Sequence, residues 1–384
     1  MAFFLLLLLV ALAHNVSGQS LAYFRSAKYG FGTNPFQSIR SMGLENNALL
    51  CLGPANPSKI TGATSVQNNQ VWAIQTNVSS SWTWAWSSPD TNDQGASNTV
   101  YTALAVKHHQ LQTPQNLLFL ADRSTSSVTV LPYGYLSPRE TPDASRPPRQ
   151  VKLANGTGEV TALSALDAYG GLYAASGTKL WWVPVVTPLT ADPPSAGNTN
   201  SSMVGELRGT VQAMWLMQNS QTLFVAEWFN SSNNIWRYDL RGTRNLTSSQ
   251  GQVLIRINST AYPNPPQDHP VVSSVIPHPK TGDIYVGLYG AGGVLIYDTT
   301  GVLKGQITTT FVNVFTMEMD EDGSFLYIAG DDGAGSGRLD FLDLGQTGLA
   351  SRGVTALASG AAGTGVPKAL VAFSAMLAAL TWFI

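Results

Sequence analysis

The chain reads as short apolar runs separated by polar, turn-forming clusters, and the runs come in pairs. The clearest pair lies within residues 221–242. Leu223-Phe224-Val225-Ala226 is apolar throughout, which predicts a strand packed on both faces. Ile235-Trp236-Arg237-Tyr238-Asp239-Leu240 alternates with the period of two of a strand with one better-buried face. Asn230-Ser231-Ser232-Asn233-Asn234 between them is turn-forming. One hairpin cannot bury two apolar faces by itself, whereas copies stacked around an axis can.

The pattern recurs. Related runs begin around Val71, Leu118, Leu172, Leu223, Ile284 and Leu326, at steps of 47, 54, 51, 61 and 42 residues. Most are followed by a second strand-like run, as in Ser127–Leu131, Lys179–Val183, Gly293–Asp298 and Arg338–Asp343. Six copies, each with room for four short strands, predict an all-β, six-bladed β-propeller. Stacked blades also explain the continuous apolar runs, which a sheet with one wet face does not need. Pro- and Asn-rich stretches at 133–149, 187–202 and 258–269 read as surface loops between blades.

Composition changes the picture in two ways. Of 384 residues, 44% are hydrophobic and only 11% are charged, against about 25% charged in an average soluble domain. A net charge of −2 supplies no basic field, which argues against a nucleic-acid partner. Cys51 is the only cysteine, so no disulfide within the chain is possible. It reads as a small buried hydrophobe beside Leu49, Leu50 and Leu52.

The ends point to the secretory pathway. Phe3–Ala13 is an uninterrupted apolar stretch followed by Val16-Ser17-Gly18, which predicts a cleaved signal peptide over 1–18. Ala369–Ile384 is apolar and uncharged, and small residues precede it at 358–362. That arrangement predicts a glycosylphosphatidylinositol anchor at Ser359 or Gly360, and hence attachment to the outer leaflet of the plasma membrane. A single-pass membrane helix is the alternative, although a span needs about 20 apolar residues. The expected organisation is thus signal 1–18, propeller 19–350, stalk and anchor site 351–368, and hydrophobic tail 369–384. Glycosylation sequons lie at Asn77, Asn155, Asn200, Asn230, Asn245 and Asn258.

The runs Thr222–Glu227, Trp236–Asp239, Ile284–Gly290 and Gly293–Asp298 resemble blades of the gluconolactonase/regucalcin-like (senescence-marker-protein-like) superfamily, with strictosidine synthase-like relatives. The likeness covers roughly residues 210–301. It implies a six-bladed propeller with a divalent metal, calcium in character, near the axis, polarising a lactone carbonyl or a bound water. At the positions the resemblance assigns to metal ligands, this chain carries Gln212 and Ser274, and near Val71 only Glu45 stands in for a first-blade Glu.

Other polar features are sparse. Asp122, Glu227, Asp331 and Asp332 each follow the continuous apolar run of their pair and are the candidate polar or catalytic residues on one face of the disc, with acidic turn residues as the plainer alternative. Trp82-Thr83-Trp84-Ala85-Trp86 places alternate tryptophans on one strand face, as core between blades or as an exposed sugar- or apolar-binding strip. His108, His109 and His278 read as solvated. Asp320–Gly323 reads as a turn. Two functions stay open. One is a cell-surface-anchored binding or non-catalytic propeller for a small-molecule, glycan or protein ligand. The other is a divergent lactone or ester hydrolase with a rearranged metal site, and only that one calls for calcium.

Overall fold

The computed structural model describes residues 20–21 and, between 39 and 344, the strands with most of the tighter turns joining them. Both predicted targeting ends lie outside the described residues. So do the long loops, Asp332, His108, His109 and the sequon asparagines Asn77, Asn155 and Asn200.

The strands fall into consecutive sheets. Sheet I holds β2 (Ser41–Glu45), β3 (Ala48–Gly53), β4 (Gln70–Gln75) and β5 (Trp82–Ser87). Sheet II holds β6 (Tyr101–Val106), β7 (Leu117–Asp122), β8 (Ser127–Pro132) and β9 (Arg149–Lys152). Sheet III holds β10 (Val160–Leu163), β11 (Gly171–Ser176), β12 (Lys179–Pro184) and β13 (Ser202–Glu206). Sheet IV holds β14 (Thr210–Leu216), β15 (Thr222–Phe229), β16 (Ser232–Asp239) and β17 (Gly251–Asn258). Sheet V holds β18 (Val272–Pro277), β19 (Ile284–Leu288), β20 (Gly293–Tyr297) and β21 (Leu303–Thr308), with β1 (Ser20–Leu21) added in parallel to β21. Sheet VI holds β22 (Asn313–Met319), β23 (Phe325–Asp331) and β24 (Gly337–Asp343). Five sheets therefore have four or more strands, and the last has three among the described residues.

The sheets close into a ring. The first strand of each packs on the first strand of the next, and β22 packs on β2. The core is accordingly divided among the sheet interfaces. Leu223 and Val225 face sheet III, while Phe224 and Ala226 face sheet V. In β7, Leu118 and Leu120 face sheet I, while Phe119 and Ala121 face sheet III. Neither side of such a strand meets water, which is why the runs are apolar without alternation. Cys51 is fully buried with Met42, Tyr327 and Phe341, where sheets VI and I meet. This is the architecture of a β-propeller.

Two details depart from the sequence pattern. Leu49, paired with Leu44, holds the place in sheet I that Leu223, paired with Leu216, holds in sheet IV. Val71 lies on β4, one strand further out. The turn of sheet IV is also tighter than expected. Phe229 pairs with Ser232, so the loop is Asn230-Ser231 alone, with φ of 50° and 58°. Both central residues at positive φ define a type I′ hairpin, which matches the twist of the flanking strands.

Candidate functional site

The inner strands β2, β6, β10, β14, β18 and β22 surround a central cavity of about 130 Å³. Five of them carry a register shift near its mouth, skipping Thr102, Thr161, Gln212, Ser273 and Phe315. A bulged residue is freed from the ladder and its side chain is re-aimed. The shifts make Ser273, not Ser274, the counterpart of Gln212.

This tier joins sheets on one side of the ring only. Arg40 Nη1 donates to the Tyr101 carbonyl at 3.3 Å. The Thr102 hydroxyl donates to the Val160 carbonyl, and the Thr161 hydroxyl to the Val211 carbonyl at 2.9 Å. Across the ring the pattern lapses. Gln212 Nε2 turns to the Thr210 carbonyl of its own strand at 3.4 Å, Ser273 to Gly287 of its own sheet, and Phe315 has no donor. One residue deeper, Ser41 Oγ accepts from the Leu104 N–H at 3.0 Å, and buried Ser274 Oγ accepts from the Met317 N–H at 3.3 Å. Ser274 therefore fastens sheet V to sheet VI.

Deeper again lies Glu318 on β22, the one acid in the cavity lining among the described residues. It is 7% exposed, and the Met319 N–H donates to its Oε1 at 3.1 Å. Burial pushes its carboxyl up to about 8, only partly opposed by that bond, so it is largely neutral at pH 7. The Cys51 thiol is pushed up as well, first by its own burial and then by the charge Glu318 carries when ionised. Sequence reasoning passed over Glu318 because Met317-Glu318-Met319 looks like ordinary strand alternation. The available signal was comparative: Gly43, Ala105, Trp215 and Ile276 hold the matching place in other sheets.

This lining does not fit a calcium ion. Calcium takes six to eight oxygen ligands, carboxylates prominent among them. Here one carboxyl favours its neutral form, Ser274 is committed to a backbone N–H, and Gln212 is a neutral amide. Among the described residues no three His, Cys, Asp or Glu side chains cluster as a metal site would require.

The acidic candidates are not brought together. Asp122 and Asp331 end β7 and β23, and Glu227 lies two residues before the end of β15, in three alternate sheets. Asp122 pairs with Tyr101 and Glu227 with Val211, both just before a bulge. Asp331 lies one residue beyond the matching register, its carboxylate accepting from Asn313 Nδ2 at 2.8 Å. Glu227, 1% exposed, accepts three hydrogen bonds: Gly209 N–H at 2.7 Å, Asn234 Nδ2 at 3.1 Å and Trp236 Nε1 at 2.7 Å. It forms part of the floor of a second cavity, of about 550 Å³, between the β13–β14 link and the β15–β16 hairpin.

His278 is not solvated. It is wholly buried, its Nδ1 accepts the N–H groups of Lys280 and Thr281 at 3.1 Å each, and its Nε2 lies 3.0 Å from the Gly323 carbonyl. That assignment puts the proton on Nε2. Asp320–Gly323 forms the β22–β23 turn, as expected, with Asp320 Oδ1 accepting from Phe325 N–H at 2.8 Å. Trp82, Trp84 and Trp86 lie on β5, the outermost strand of sheet I. Asn230 and Asn245 are exposed.

Fold and site together define a β-propeller with a narrow, hydroxyl-rich axial channel. No protein-family model matches the chain, and no curated protein matches it by sequence. Solved structures do. The luciferin-regenerating enzyme aligns at 9% identity with a TM-score of 0.50, over 84% of this chain and 94% of its own. Regucalcin from Agrobacterium tumefaciens aligns at 10% identity and 0.49, over 85% and 95%. A chain of the mitotic checkpoint complex aligns at 10% and 0.48, over 80% and 90%. At such identities the likeness is one of fold.

Proposed function

We propose that the protein is a cell-surface, non-catalytic binding propeller of the gluconolactonase/regucalcin-like superfamily, six-bladed, with sheet VI as its last blade. The observation that carries the reading is the axial lining. It offers hydroxyls, one amide, one largely neutral carboxyl and the Arg40 guanidinium, which already donates to the Tyr101 carbonyl, a set suited to hydrogen-bonding an uncharged group rather than to gripping a divalent cation. Its volume suits a small group or a few waters, since a water occupies about 30 Å³. The cellular address rests on sequence: the signal at 1–18, the sequons, and the Ser359 or Gly360 anchor site before an apolar tail. The outer membrane leaflet is then its first partner.

The test is thermal unfolding of the purified ectodomain with and without millimolar calcium, run beside lactone and ester hydrolysis. A ligand that binds only the folded state raises the melting temperature. The expected result is no calcium shift and no chelator-sensitive turnover. A clear shift with chelator-sensitive turnover would transfer the protein to the hydrolase reading, with Asp331 and Asp332 the first residues to replace.

A further inference from the structure

The second cavity has features the axial channel lacks. At about 550 Å³ it is of ligand size, within the 300–1,000 Å³ range of small-molecule sites. It lies on the face of sheet IV turned toward sheet III, where the β13–β14 link crosses the hairpin end. Its floor is fixed. Buried Glu227 holds the Trp236 indole and the Asn234 amide through one oxygen, and the link through Gly209 with the other.

The rim is ionic and balanced. Arg208 and Arg256 are exposed, and among the described residues neither forms an ion pair or side-chain hydrogen bond. Glu206, also exposed, accepts from the Thr178 hydroxyl at 3.3 Å, its one side-chain hydrogen bond among the described residues. Two guanidinium groups thus stand against the carboxylates of Glu206 and Glu227, so the cavity has little net charge to select an ion of either sign. It does have planar donors, carboxylate and amide acceptors, and a fixed, half-buried tryptophan. Sugar hydroxyls donate and accept at once, and the C–H face of a sugar ring suits an indole with one apolar and one polar side.

We propose that this cavity is a carbohydrate site for one or two neutral sugar rings. The proposal deepens the binding reading by naming a ligand class and a second place for it, and it does not depend on the axial channel. Two sources of sugar share this chemistry. Asn230, at the hairpin tip, lines the same cavity and carries a sequon, so the first residues of its own glycan can reach it. A free or cell-surface glycan is the other source.

The experiment uses the ectodomain expressed in eukaryotic cells, either glycosylated or as Asn230→Asp. Aspartate removes the sequon yet tolerates the left-handed backbone found there. Calorimetry and saturation-transfer NMR measure binding of N,N′-diacetylchitobiose, cellobiose, mannobiose and lactose. The expected result is binding of at least one disaccharide by Asn230→Asp, weakened at least tenfold in an added Arg208→Ala/Arg256→Ala pair whose melting temperature is unchanged. Binding by Asn230→Asp but not by the glycosylated protein identifies the chain's own glycan as occupant. Equal binding by both identifies an external one. No binding of any of the four by Asn230→Asp, or undiminished binding in the arginine pair, overturns the proposal. Neither result touches the calcium and hydrolysis assays above, so the two readings fail separately.

Discussion

The Trp236 indole N–H donates to Glu227 Oε2 across 2.7 Å, and the two residues lie on neighbouring strands of sheet IV. The geometry repeats in sheet III, where Trp182 Nε1 donates to Asp167 Oδ2 at 2.8 Å and Asp167 Oδ1 takes the backbone N–H groups of Tyr169 and Gly171. In each case a buried carboxylate ties an indole on the third strand to backbone at a turn or link. A group with this many donors already in place is a clasp first, whatever else it does.

Glu227→Ala is therefore expected to be strongly destabilising. It leaves the Gly209 N–H, the Asn234 amide and the Trp236 indole without their acceptor. Each buried donor left unsatisfied costs about 1–3 kcal/mol, with partial relief from water through the adjoining cavity. A loss of roughly 3 kcal/mol in urea unfolding is expected, and a smaller loss for Glu227→Gln, which keeps one acceptor. Wild-type stability in Glu227→Ala would show that the clasp contributes nothing.

His278 gives a pH signature. Burial lowers its folded pKa, against the weaker raising effect of the Gly323 carbonyl. A depressed histidine favours the neutral ring when folded, so its contribution is present above the unfolded value of about 6.5 and is lost as pH falls through the folded one. The ring also joins sheet V to the β22–β23 turn of sheet VI. The stability advantage of the wild type over His278→Gln should be present at pH 7 and shrink toward pH 5, whatever the total slope of either protein. An unchanged slope in His278→Gln would assign the acid sensitivity elsewhere.

The ring of sheets was legible in the sequence because the second strand of each sheet has no wet face. Continuous runs such as Leu223–Ala226 are the direct imprint of two interfaces per sheet. Sheet I was read one strand too far out for a local reason. Just two residues, Asn46 and Asn47, separate β2 from β3, and Ala48–Gly53 lacks the aromatic residues that mark its counterparts. Ser232–Asn234 looked like loop because Ser and Asn disfavour strands. Pairing of Asn234 with Glu227, and of Asn233 with Trp228, overrides that preference. The axial tier was illegible for a different reason. Nothing in composition marks which residue a bulge frees, and Ser274 was assigned one residue off: Gln212 lies eleven residues before Leu223, and the same count back from Ile284 reaches Ser273.

The cellular address has its own test. Phosphatidylinositol-specific phospholipase should release the protein from intact cells if Ser359 or Gly360 carries the lipid. Peptide N-glycosidase should lower its apparent mass, with the exposed Asn230 and Asn245 among the occupied sites. Retention after phospholipase with residues 369–384 still detectable by mass spectrometry would establish a spanning tail instead. An unshifted band after glycosidase would remove the secretory reading.

Glu318 should act in the opposite sense to His278. Its buried side chain is part of the axial cavity lining, and desolvation raises its carboxyl from an ordinary 4.5 to about 8. A raised folded value means the native state holds the proton more tightly than the unfolded chain. The associated stability is fully present below about 4.5 and is lost as pH rises through about 8. One pKa unit corresponds to about 1.4 kcal/mol, so the loss across that window is on the order of a few kcal/mol. Glutamine has nearly the shape of the neutral acid and does not ionise. Glu318→Gln should therefore match the wild type near pH 5, exceed its stability at pH 8, and remove this part of the slope between them. The His278 contribution rises with pH below 7, inside the Glu318 window, so the two are told apart by their opposite sign and by comparing Glu318→Gln with His278→Gln. Carboxyl ¹³C NMR of glutamate-labelled protein reads the same group directly. One resonance should titrate near 8 and vanish in Glu318→Gln. A Glu318 resonance already ionised at pH 6, with equal stability slopes for both proteins, would mean that the channel is wet enough to solvate the charge. The lining would then present an anion on the axis, and the preference proposed for an uncharged ligand there would fall.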